Sequence, residues 1–134
     1  MLRRLSAVVI IAAVAVLLGG VASAHHSYAA TYDTSKDVKL EGKLVQFVYR
    51  NPHTFVHVQV PDAAGKMHRW AVEWSGTSQL AGAGVTRDTL KVGDAVVVTM
   101  HPSRVAADYR GLMVRLVRPS DGFTWGQTGG QVVD

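Results

Sequence analysis

The run "HTFVHVQV" (53–60) constrains this chain more than any other stretch. Val56, Val58 and Val60 point one way, while His53, Phe55, His57 and Gln59 point the other. This is the period-two pattern of a half-buried strand. "PDAAGK" (61–66) supplies Pro61, Asp62 and Gly65 for a turn. "MHRWAVEW" (67–74) then returns as an antiparallel partner. If Trp70 and Val72 join Val56 and Val58 in a core, the odd positions share the opposite face, and Glu73 falls beside His53 or Phe55.

Three further segments read as strands. "VKLEGKLVQFVYR" (38–50) is β-rich, with Gly42 placed for a bend or bulge, and Asn51-Pro52 interrupts it. "AVVVTMHP" (95–102) follows the tight turn "KVGD", and "GLMVRLVRP" (111–119) completes the set. Between the third and fourth strands, residues 75–94 have room for one short helix from Thr77 to Ala83, ended by Gly82 and Gly84. The pattern predicts an all-β fold, a small five-stranded OB-like barrel with one short helix between strands 3 and 4. A β-sandwich competes, but five strands are few for one. The barrel is expected over 37–120, after an N-terminal arm at 25–36. A flexible tail is expected at 121–134, with Phe123 and Trp125 docking before it frays.

Residues 1–24 have the layout of a cleavable signal peptide. Arg3 and Arg4 precede an apolar run, and "VASA" ends in the small-residue pattern that a signal peptidase reads. The alternative is an uncleaved anchor, for which the run is short against the roughly 20 residues that a span needs. Cleavage after Ala24 predicts a periplasmic or secreted protein that begins at His25 and keeps no stable membrane span. Losing Arg3 and Arg4 leaves twelve basic and ten acidic residues, a net charge of +2. So small a charge argues against nucleic acid as a partner. With no cysteine in the chain, disulfides and thiolate metal sites are excluded.

Four segments together, "AHHSYAATYD", "KLEGKLVQFVYRNPHTFVHVQV", "WAVEW" and "LKVGDAVVVTMHPSR", resemble the DUF6152 family of bacterial secreted proteins. The His-His-Ser start and the Asn-Pro-His step are the most specific pieces. The resemblance implies a small exported β-barrel and brings no known activity or catalytic residues.

The chemistry is therefore read from the residues. As a mature N-terminus, His25 offers its α-amine and imidazole Nδ1 as one chelate. A second histidine completes the arrangement called a histidine brace. The α-amine has a reference pKa near ~8, so a metal displaces its proton at small cost. Such a nitrogen set suits Cu(II), with zinc as runner-up. Candidate ligands are His25, His26, His53 and Glu73. His53 and His57 share a face but lie about 13 Å apart along the strand, so they cannot share an ion. His53 is preferred because it stands where the strand begins. Glu73 is read as a carboxylate that holds the second nitrogen of His53, or as an oxygen ligand. His57 and His68 read as surface positions, and His101 as a strand-end residue.

Three functions follow from this reading. The first is an exported metal-binding protein, copper carrier or buffer, which hands its ion to another periplasmic protein. The second is a metal-free OB-fold binding module that uses Phe47, Tyr49 and Phe55 as an aromatic face for a small ligand or protein. The third, ranked last, is a small hydrolase, since no GxSxG or HExxH motif occurs.

Overall fold

The computed structural model describes residues 28–126. The signal segment, His25, His26 and residues 127–134 lie outside the described residues. The strands are β1 (Val38–Val48), β2 (Phe55–Pro61), β3 (Met67–Glu73), β4 (Ala95–Pro102), β5 (Arg110–Arg118) and β6 (Phe123–Gly126). Two short helices accompany them, α1 (Tyr28–Thr31) and α2 (Thr77–Gly82).

The sheet runs β3-β2-β1-β4-β5-β6, and β3 also pairs with β5. That last pairing is parallel, from Ala71↔Arg110 to Glu73↔Leu112, and it closes five strands into a barrel. A five-stranded barrel in this order, with a helix between β3 and β4, is the OB arrangement expected from the sequence. β3 occupies only the start of one β5 edge, and β6 pairs with Arg115 to Arg118 farther along β5. β6 therefore covers backbone groups that an open edge would expose. The segment expected as a tail from 121 thus begins with a sixth strand. Its Trp125 ring meets Trp74 edge-on at 4.9 Å.

β1 belongs to both halves of the barrel. Its first half pairs with β4 and its second half with β2, and Lys43 takes part in both ladders. Gly42 lies at this crossing. A Cβ there would stand 2.3 Å from the Gln59 carbonyl oxygen, so only glycine permits the approach. Just beyond, Leu44↔Val58 is followed by Gln46↔His57, which makes Val45 the extra residue of a bulge. The bulge reverses the facing of the strand. Leu40 and Leu44 point inward before it, and Phe47 and Tyr49 pack against the core after it.

Val56, Val58 and Val72 are fully buried, as the alternation requires. Burying a side chain of this kind is worth about 1.5–3 kcal/mol, against about 0–1 kcal/mol for an exposed ion pair. The valine register therefore outweighs the surface charges in fixing the hairpin. α2 sets Leu80 into the core, followed by Val85 and Leu90. Gly76 at its start has no side chain to cap it. Asn51, from the β1–β2 loop, accepts hydrogen bonds from the Thr77 backbone N–H at 3.0 Å and the Thr77 hydroxyl at 2.9 Å instead.

Candidate functional site

The site forms where the arm crosses the end of the hairpin. Tyr32 makes a bridge with Ser103, and the Asp33 N–H donates to the Pro102 carbonyl at 2.8 Å. Arg104 holds the preceding turn through its Nε to the Ala29 carbonyl at 2.8 Å. These contacts set α1 over β2 and β3, where odd-numbered residues face outward.

Glu73 lies across from Phe55 in the β2–β3 ladder, one of the two neighbours that the alternation left open. It is on the outward face, yet only 7% of it is exposed, because the arm covers it. A buried carboxylate needs partners, and Glu73 has three. Its Oε1 pairs with Nδ1 of His53. Its Oε2 accepts a 2.5 Å hydrogen bond from the Tyr32 hydroxyl and lies 3.7 Å from the Arg110 guanidinium. Arg110 also donates to the Tyr32 oxygen at 3.4 Å. Burial, and then the bond to Glu73, pushes the Tyr32 phenol well above its ordinary value, so it remains a donor. The Tyr28 phenol is also raised, by burial first and the Glu73 charge second.

The Tyr28 ring lies 5.9 Å from the His53 ring. Tyr28, Thr31, Tyr32, His53, Phe55, Glu73 and Arg110 enclose a cleft of about 300 Å³. The His53 side chain is 38% exposed, so its ring is reachable from this cleft. With a proton on Nδ1 facing Glu73, Nε2 is left as a lone-pair donor, the arrangement found in carboxylate–histidine–metal sites. Both Glu73 oxygens are already engaged, which favours its orienting role over direct ligation.

The structure thus brings His53 and Glu73 together and leaves the other described histidines elsewhere. His68 bonds Asp62 at 2.9 Å and stacks on Tyr109 at 4.4 Å. His101 lies 2.9 Å from the Lys36 carbonyl and 3.0 Å from Asp37. His57 borders a neighbouring cleft. Among the described residues, no group of three or more His, Asp or Glu is arranged to hold a metal.

The expected aromatic face is corrected. The bulge at Val45 turns Phe47 onto Trp74, and the Tyr49 hydroxyl donates to the Thr77 and Val85 carbonyls, both at 3.1 Å. Only Phe55 remains on the outer face. Sequence reasoning missed Tyr32 and Arg110. Tyr32 sits outside any periodic segment, and Arg110 reaches Glu73 only through the parallel β3–β5 closure. Two tyrosines, Tyr28 and Tyr32, in an otherwise small and polar arm were the available signal.

Strand order and closure define an OB-type barrel protein whose arm is docked over a buried carboxylate. Residues 12–112 match the DUF6152 family of unknown function, and the chain belongs to that family. No curated protein matches it. Among solved structures it is similar to the mitochondrial single-stranded DNA binding protein Rim1 of S. cerevisiae. That match has 10% identity and a TM-score of 0.46, and it covers 60% of this chain and 90% of that one.

Proposed function

We propose that the chain is exported, processed after Ala24, and binds one transition-metal ion as a periplasmic or secreted carrier or buffer. Copper is the first choice and zinc the second. The ligands are the His25 amine and imidazole together with Nε2 of His53. His26 stands by as a further nitrogen, and Glu73 orients His53. One observation carries the reading: Tyr28, three residues after His25, lies against the very imidazole that Glu73 holds by its other nitrogen. Three residues span at most about 10 Å, which is enough to bring the His25 amine to His53. The barrel contributes a histidine and its carboxylate, and the arm contributes the chelate. Three nitrogen donors in a plane suit Cu(II). A mature net charge of only +2 offers little general attraction to a polyanion.

The test is a competition titration of Cu(II) into protein exported with its own signal, compared with the same chain carrying one extra alanine before His25. Binding of one copper at least a hundred-fold more tightly by the native terminus supports the chelate. Equal affinity for both chains, or a native chain that does not start at His25, overturns it.

A further inference from the structure

A second cleft lies beside the first, on the outer face of β1, β2, β3 and β5. The ladders place Gln46, His57, Ala71 and Arg110 in one row across these strands. The next row is Val48, Phe55, Glu73 and Leu112. Strands lie about 4.8 Å apart, so His57 and Arg110 flank Ala71 at about twice that spacing. The Ala71 methyl is too short to fill the gap between them. The resulting hollow, of about 310 Å³, is lined by Val48, Arg50, Phe55, His57, Ala71 and Arg110.

The electrostatics of this hollow are one-sided. Two guanidinium groups line it and no carboxylate does. Among the described residues Arg50 has no carboxylate partner, and Arg110 has only the 3.7 Å approach to Glu73. Beside them, Arg69 Nε donates to His57 Nδ1 at 3.3 Å and its Nη2 donates to Gln46. With Nδ1 accepting, the His57 proton sits on Nε2, which makes this ring another donor on the same face. Burial, and then the Arg69 charge, lowers the His57 pKa, in keeping with a neutral ring. Phe55 and His57 lie with ring centroids 6.5 Å apart and planes inclined by 32°, and Val48 and Ala71 complete an apolar floor.

We propose that this hollow binds a small aromatic carboxylate, its ring on Phe55, Val48 and Ala71 and its carboxylate between Arg50 and Arg110. Guanidinium groups match a carboxylate in geometry as well as charge, and the volume admits one ring system but no large ligand. The site uses neither His25 nor His53, so it stands or falls apart from the metal.

The experiment is a titration of ¹⁵N-labelled processed protein with benzoate, followed by amide shifts, with benzyl alcohol as the neutral control. Saturable shifts at Phe55, His57 and Ala71 are expected with benzoate, and binding at least ten-fold weaker with benzyl alcohol. Arg50→Gln, at an exposed side chain, is expected to weaken benzoate at least five-fold. Ala71→Leu fills the hollow and is expected to abolish the response. No saturable shift, equal binding of the alcohol, or unchanged benzoate binding by Arg50→Gln overturns the proposal.

Discussion

Tyr32 donates a 2.5 Å hydrogen bond to Glu73, a partner 41 residues away in sequence, and the two together pin the N-terminal arm to the barrel wall. Without this bond the arm has backbone contacts to the β4–β5 connection but none to a carboxylate. The bond is therefore both a stability element and part of what holds Tyr28 against the His53 ring.

Tyr32→Phe keeps the buried ring and removes the donor. A carboxylate deprived of one partner costs about 1–3 kcal/mol. The urea midpoint is expected to fall accordingly, with amide exchange in residues 28–33 faster than in the wild type. A midpoint shift worth less than about 0.5 kcal/mol, the range of an ordinary surface substitution, contradicts the role assigned to the bond.

Glu73→Gln preserves shape and removes the charge facing His53. Loss of such an orienting carboxylate typically lowers metal affinity 10–100-fold. Copper competition on the processed variant is expected to show a drop of this size, with the protein still folded by circular dichroism. Wild-type affinity in a folded variant removes Glu73 from the site.

Arg118 clamps the other end of the barrel, with Nη1 2.7 Å from Asp94 and Nη2 2.7 Å from Asp121. The Asp121 carboxyl is held below its ordinary value chiefly by Arg118, and the Asp94 carboxyl first by the Lys91 N–H and then by Arg118. Both pKa values are depressed on folding. Their stabilisation is therefore present above the unfolded value near ~3.9 and is lost as pH falls through the folded values. Urea midpoints are expected to decline below about pH 4. Arg118→Gln should flatten that decline while lowering the midpoint at neutral pH. Parallel pH profiles for the two proteins contradict the assignment.

Trp125 on β6 packs edge-on against buried Trp74, and Arg118 lies over the Phe123 ring at 5.4 Å. Aromatic truncation in a full core costs about 3–5 kcal/mol, and Trp125 is half-buried, so Trp125→Ala is expected to cost about 1–3 kcal/mol. Thermal unfolding measures it. A change within error means that β6 is an ornament on the barrel rather than part of it.

The barrel was legible in the sequence because its signals are local. Alternating valines, a turn carrying Pro61, Asp62 and Gly65, and the Gly93-Asp94 turn each speak within a few residues. Expected and observed helix bounds differ by one residue, Thr77 to Ala83 against Thr77–Gly82. The facing of Phe47 and Tyr49 was not legible, because a one-residue bulge at Val45 changes facing without changing composition. β6 was hidden by the glycines of its segment, Gly122 and Gly126 among them, since a four-residue strand gains its order from the β5 edge rather than from its own propensity. Glu73 beside His53 or Phe55 followed from alternation, and the ladder sets it opposite Phe55 with its carboxylate on His53. Tyr32 and Arg110 did not, because they reach Glu73 through an arm crossing and a barrel closure that no spacing encodes.

The central claim is that the arm and barrel share one ion through His25 and His53. Electron paramagnetic resonance of processed protein with one equivalent of Cu(II), beside His53→Ala, tests it most directly. Hyperfine coupling from two imidazole nitrogens and one amine nitrogen is predicted for the native chain, with one imidazole lost in the variant. Identical spectra from the two proteins would show that His53 is not a ligand and would contradict the account.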